Sequence, residues 1–202
     1  MPGSRKETDS PRAITAWRLR LLKKTLQEEG VIAYPTEGVW GLGCLPQSRN
    51  AVEKILRLKN RPWEKGLILV AANMAQIATW LEDLTVEQIR ALEASWPGPV
   101  TWILPDKKRS PEWVRGRHET LAIRVSAHPI VQDLCHCVGG PLVSTSANPS
   151  THQPARTLFQ VRRYFGNAID AYCPGNLGDA SGPSEIRDIM TLSVVRPKES
   201  AR

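Results

Sequence analysis

Between residues 141 and 150 the chain reads PLVSTSANPS, and an apolar run gives way to Ser144, Thr145, Ser146 and Asn148 within five positions. No acid, base or metal ligand lies inside that segment. A serine nucleophile on a strand-to-helix elbow would need G-x-S-x-G, which is absent around Ser144 and Ser146. The hydroxyls therefore read as hydrogen-bond donors to anionic oxygens. They suit a ligand cradle better than covalent catalysis.

Charge is placed to complement them. In LKNRPWEKG (58–66), Lys59 and Arg61 put an ammonium and a forked guanidinium two residues apart, a pairing that suits a phosphate or carboxylate. A solvated basic loop is the plainer alternative. Arg124 interrupts the apolar run LAIRV, where a buried charge requires either a structural partner or a ligand. Sequence leaves those two open. Ser184 in PSEIRD reads as the cap of a short helix, and Arg196 follows the apolar TLSVV, within reach of the same ligand. His128, before Pro129, reads as a turn residue.

Other chemistries lack their residues. Gly38, Gly41 and Gly43 miss the dinucleotide pattern G-x-G-x-x-G because position 46 is proline, and no G-x-x-x-x-G-K-[ST] occurs. Cys135, His136 and Cys137 would present ligands at i and i+2, which a helix points to different faces. They read, with Cys44 and Cys173, as buried free thiols. A sugar-phosphate enzyme would need clustered acidic metal ligands, whereas Glu37 is the sole acid of the first glycine turn, YPTEGVWGLG.

The elements that position these residues alternate in period. Leu19, Leu22 and Leu26 predict a helix over 15–29, stopped by Gly30. Strand VIAY follows, then a helix from near Asn50 with Val52, Ile55 and Leu56 inward. GLILVAA (66–72) is a strand, Asn73 an N-cap, and Thr85 with Gln88 a capping box. PVTWILP and TLAIRV predict strands, HPIVQDLCHCV a helix, PLVS a strand and RTLFQVRRYFG a helix, with AIDAYC and TLSVV as closing strands. This alternation predicts one α/β domain. In such sheets ligands lie beyond the carboxyl ends of strands, so YPTEGVWGLG, SWPGPVT and VSTSANPS are expected to converge on one polar pocket.

Bulk properties agree. At 202 residues the chain fits one domain over 14–202, with 1–13 as a flexible lead-in that lacks the apolar core of a secretory signal. No run approaches the roughly 20 apolar residues of a bilayer span. A cytoplasmic setting without membrane association is the expectation. The net charge of +7 favours an anionic partner, nucleotide or RNA. Direct RNA binding by a non-catalytic protein is thus the rival reading. It predicts steep salt dependence.

Taken in order, VIAYPTEGVWGLG, LKNRPWEKGLILV, WPGPVT, LAIRVSAHP, PLVSTSAN and PSEIRD resemble the YrdC/TsaC family of threonylcarbamoyl-AMP synthases, from about residue 15 to 196. The short length is similar to the compact bacterial type. The resemblance implies a twisted mixed α/β sheet around a concave basic cavity. It implies synthesis of L-threonylcarbamoyladenylate and pyrophosphate from L-threonine, bicarbonate and ATP, with Mg2+ carried on ATP and no tightly bound organic cofactor. Partner proteins would then transfer the threonylcarbamoyl group to adenosine beside a tRNA anticodon.

By matching motif, Thr36, Arg124, Ser144 and Ser184 are expected around threonine and its carbamate. Lys59 and Arg61 fall on the phosphates, Ser146 and Asn148 on the nucleotide, with Thr120 and Arg196 as further nucleotide contacts. Arg187 matches without an implied role, and no general base is implied. Two positions depart from the family pattern. Thr151 stands where the family often has glycine, and Val70 where longer relatives carry a histidine near the strand's end.

Overall fold

The computed structural model describes residues 14–197; the expected lead-in over 1–13 lies outside them. The elements run α1 (Ala16–Gln27), β1 (Ile32–Pro35), β2 (Trp40–Cys44), α2 (Arg49–Lys59), β3 (Ile68–Ala71), α3 (Val86–Glu93), β4 (Val100–Pro105), α4 (Glu112–Arg115), β5 (Thr120–Val125), α5 (Pro129–Val138), β6 (Leu142–Ser146), α6 (Leu158–Phe165), β7 (Ala171–Tyr172), β8 (Glu185–Asp188) and β9 (Val194–Arg196). Side chains set the helix starts. Thr15, Ser48, Thr85 and Thr157 each accept a first-turn N–H, and the last two complete capping boxes with Gln88 and Gln160. Among the described residues no helix is long and apolar enough to cross a membrane.

The strands form one mixed sheet in the order β7-β1-β2-β6-β3-β5-β4-β8-β9. Three neighbouring pairs are parallel, β1 with β7, β3 with β5 and β4 with β8, and the other five are antiparallel. Because side chains alternate along a strand, each strand divides its residues between two faces. Trp40, Leu42, Leu69, Trp102, Leu104, Leu121, Ile123 and Val143 pack on one face against Val52 and Ile55 of α2, Leu92 of α3 and Val161 and Phe165 of α6. On the other face, Ile32, Tyr34, Val70 and Leu142 pack under Leu22 and Leu26 of α1 and Ile130, Val131 and Leu134 of α5. Beyond α1 and α5 that second face lies open toward β5, β4 and β8. The candidate site occupies this opening.

Three local expectations need correction. Helix α1 ends at Gln27 with Glu28 as its C-cap, and Glu29 takes the left-handed turn with φ 59°, one residue before the predicted Gly30. Gly30 instead answers to close packing, since a Cβ there would stand 2.5 Å from the Thr25 methyl and 2.7 Å from its carbonyl oxygen. The WGLG part of the first glycine turn is strand β2, paired with both β1 and β6. Its glycines serve the pairing. A Cβ at Gly43 would fall 2.6 Å from Val143 O and 2.8 Å from the Tyr34 ring. Last, Ser184 caps no helix; the segment after it extends as β8 alongside β4.

Candidate active site

A cavity of about 620 Å3 opens on the uncovered face. Alternation dictates its lining. Ile68 and Val70 of β3, Thr101 and Ile103 of β4, Thr120, Ala122 and Arg124 of β5, and Ser144 and Ser146 of β6 all line it, two residues apart along each strand. Five of its side chains are Arg or Lys (Arg61, Lys65, Arg115, Arg124 and Arg196), and none is Asp or Glu.

Strand register orders these groups. On β5, Thr120 and Arg124 share the face four residues apart, roughly 13 Å at about 3.3 Å per residue. Ser144 pairs across with Ile68, and Ile68 pairs with Ala122, the residue midway between them. Strand β6 runs antiparallel to β3, which places Ser146 toward the Thr120 end. Along the strand direction Ser144 therefore lies level with the midpoint between Arg124 and Thr120, two strands away on the same surface.

Arg124 is both paired and cavity-lining, so the two roles left open by the sequence coexist. It is 7% exposed, its Nη2 lies 3.3 Å from Glu37 Oε2, and its buried Nε has no partner among the described residues. Burial opposes charge on Glu37, but the Arg124 guanidinium and the Ser126 hydroxyl outweigh it and hold the carboxyl below its ordinary range. Thr36, which lines the cavity, donates through Oγ1 to Val39 O at 2.7 Å and so closes the turn. Ser184 Oγ shares a 2.7 Å hydrogen bond with Thr101 Oγ1.

Arg61 and Arg196 supply positive charge at the same cavity. Arg61 donates through Nε and Nη2 to Gly66 O, at 3.1 and 2.8 Å, and Arg196 Nη2 donates to Ser184 O at 2.6 Å. Burial and the neighbouring Arg196 both lower the Arg61 titration. Two guanidiniums that repel one another in a carboxylate-free cavity favour an anion between them. Lys59 is placed differently. It is 3% exposed behind the cavity wall, and its ammonium donates to the carbonyls of Ser146 and, at 2.7 Å, Asn148. Asn148 lines the cavity while its Nδ2 donates to His152 O at 2.8 Å.

Arg187 points to the other face. It pairs with Glu185 and lies over the Trp102 ring, 5.6 Å from its centroid. His128 caps α5 as a buried turn residue, with Nε2 3.0 Å from Asn176 O. Cys44, Cys135 and Cys173 are buried free thiols, whereas Cys137 is half-buried. Sequence reasoning missed Thr101, whose signal was a hydroxyl set between the apolar residues of PVTWILP. It also missed Lys65, Arg115 and His118, which it left in unassigned basic loops. Thr151, at the departure from the family pattern, lines the cavity with φ 71°.

Hydroxyls and guanidiniums on one face of a mixed sheet make a pocket for a small anionic ligand. Residues 24–197 match the Sua5_yciO_yrdC family model (telomere recombination), and the chain belongs to that family. Threonylcarbamoyl-AMP synthases of Marinobacter nauticus, Halorhodospira halophila and Hahella chejuensis are 54, 51 and 50% identical to it. The matches cover 92, 89 and 91% of this chain and 96, 94 and 100% of theirs. The crystal structure of P. abyssi Sua5 complexed with L-threonine aligns with TM-score 0.86 and 28% identity over 92% of this chain. That alignment spans 55% of the longer Sua5 chain. E. coli YciO aligns with TM-score 0.81 and 26% identity, over 92% of this chain and 91% of its own.

Proposed function

We propose that this chain is a threonylcarbamoyl-AMP synthase. It joins L-threonine, bicarbonate or CO2, and ATP into L-threonylcarbamoyladenylate and releases pyrophosphate, for modification of tRNA adenosine beside the anticodon. The observation that carries the reading is the order Arg124, Ser144, Thr120 along one face of the cavity. A carboxylate receptor, a central hydroxyl and a nucleotide-side hydroxyl follow one another in the sequence that an amino acid joined to an adenylate requires. Relatives about 50% identical over nearly their whole length bear the same name.

In this reading Arg124 receives the threonine carboxylate through the part of its guanidinium that lines the cavity. Thr36, with its proton spent on Val39, accepts from threonine. Ser144 and Ser184 hydrogen-bond the carbamate formed when the amine adds to CO2 or to bicarbonate with loss of water. A carbamate oxygen then attacks the α-phosphorus, the bond to the β-phosphate bridging oxygen breaks, and the electron pair leaves with pyrophosphate. Arg61 and Arg196 offset the charge gathering on phosphate oxygens, with Thr120, Ser146 and Asn148 on the nucleotide. Lys59 serves the phosphates through the loop that it holds. Mg2+ arrives on ATP as part of the substrate; among the described residues the cavity lining offers it no carboxylate. Positioning and electrostatic stabilisation carry such a displacement, and no side chain needs to act as a base.

The product belongs in the cytoplasm, where partner proteins pass the threonylcarbamoyl group to tRNA. Mass spectrometry of a reaction containing all three substrates tests the proposal. A threonine-dependent adenylate carrying one added carbamoyl carbon supports it, whereas threonyl-AMP without that carbon, or AMP alone, contradicts it.

A further inference from the structure

One buried carboxylate has no part in this chemistry. Glu37 is 8% exposed and lines no part of the cavity; its Oε1 is hydrogen-bonded, and its Oε2, without a hydrogen-bond partner among the described residues, makes an ion pair. Its Oε1 accepts from Ser126 Oγ at 2.7 Å and from Ala127 N at 3.1 Å, while Oε2 faces Arg124 Nη2 at 3.3 Å. Glu37 O accepts from Ala180 N at 3.0 Å, and Thr36 O accepts from Gly178 N at 3.0 Å. The backbones are in close contact there. A Cβ at Gly38 would stand 2.0 Å from Gly182 O, and one at Gly178 would stand 3.1 Å from Glu37 Cα. His128 ties down the start of the same 176–184 segment through Asn176 O.

We infer that Glu37 is a positioning residue: its carboxylate fixes the Arg124 guanidinium, its main chain fixes the segment that ends in Ser184, and together they set the cavity's affinity for its amino-acid substrate. The inference rests on the synthase reading for the identity of that substrate. A guanidinium on a strand has many rotamers, and a buried one without a counter-charge would reorient or draw in water. Paired at Nη2, Arg124 is held where its side chain lines the cavity. Glu37 thus acts at the threonine end of the cavity, where its carboxylate meets Arg124.

Glu37→Gln keeps the shape and removes the charge. Steady-state pyrophosphate release should show the KM for threonine raised at least about tenfold, with the KM for ATP changed by less than about twofold. An unchanged threonine KM in folded Glu37→Gln, or equal rises in both constants, overturns the inference. If that variant does not fold, Ser126→Ala removes one carboxylate contact and should raise the threonine constant alone; no change there overturns it equally. A second readout needs no turnover. The 1H–15N resonance of Arg124 Nε in the ligand-free protein should shift or broaden in Glu37→Gln, and an unchanged resonance counts against a clamp. Should the wild type release no pyrophosphate, the synthase reading has failed, and the Arg124 resonance alone decides the role of Glu37.

Discussion

The ammonium of Lys59 and the carbonyl of Asn148 lie 2.7 Å apart, 89 residues away from each other in the chain. Ser150 N returns the connection by donating to Lys59 O at 2.7 Å, and Ser150 Oγ donates to Asn60 O at 2.9 Å. The last turn of α2 is thereby fastened to the loop that carries Ser146 and Asn148 into the cavity.

Lys59→Met should therefore weaken ATP binding without altering any side chain in the cavity lining. Hydrogen bonds from a charged donor contribute on the order of 1.5–3 kcal/mol, which sets the rise in the ATP constant at roughly ten- to a hundredfold below about pH 7, where the amine is protonated. Stability carries a separate signature. Burial, with help from Arg61, pushes the Lys59 ammonium down to about 7 from its ordinary 10.5. Between those values the unfolded chain holds more protons than the folded one, so wild-type stability gains with rising pH across that window. Lys59→Met lacks this gain. Denaturant titrations from about pH 6 to about pH 10 should show the wild type improving relative to the variant; a flat or falling difference contradicts the placement of Lys59.

Arg124→Ala and Arg61→Ala should separate the two ends of the cavity. The first raises the threonine constant, the second the ATP constant, each by roughly 2–5 kcal/mol of lost contact. Arg124→Ala also leaves Glu37 buried without its cation, so its melting temperature should fall more than that of Arg61→Ala. Full substrate titrations check both. A variant that raises both constants together would contradict the assignment of ends.

At position 151 a β-branched residue holds a left-handed backbone, φ 71°, in the cavity wall. Such a conformation costs about 1–3 kcal/mol outside glycine, and glycine gives back roughly 0.5–1 kcal/mol through unfolded-state entropy. Thr151→Gly should stabilise the fold by up to about 2 kcal/mol. Equilibrium unfolding checks this; a loss of stability would mean that the Thr151 side chain makes contacts worth more than the strain.

Arg187 provides the counter-example. Within a block whose Pro183, Ser184 and Ile186 line the cavity, it crosses to the far face and stacks on Trp102. Arg187→Ala should cost about 0.5–1 kcal/mol of stability and leave the threonine and ATP constants unchanged in the same assays. A change in either constant would place Arg187 in the chemistry after all.

Much of this was legible beforehand where local physics governs. The capping box at Thr85, the inward residues of α2 and the strand over TLAIRV all depend on near neighbours in sequence. Motif order pointed to Thr36, Thr120, Arg124, Ser144, Ser146, Asn148, Ser184 and Arg196, and one cavity gathers them. What stayed hidden depends on distant pairing. WGLG reads as a turn until β1 and β6 claim it as a central strand. Ser184 looks like a helix cap until β4 recruits the residues after it. The partner of Arg124 is a glutamate 87 positions earlier, and the ammonium of Lys59 serves a loop from the far half of the chain. No spacing rule predicts such contacts, because the sheet order that creates them is itself non-local.

The most direct test is pyrophosphate release from ATP by the purified protein, with threonine and bicarbonate each added or omitted. The account predicts release that needs both, saturates with threonine, and fails in Arg124→Ala at threonine concentrations that saturate the wild type. Release independent of threonine, or none from folded protein that binds ATP, would contradict it.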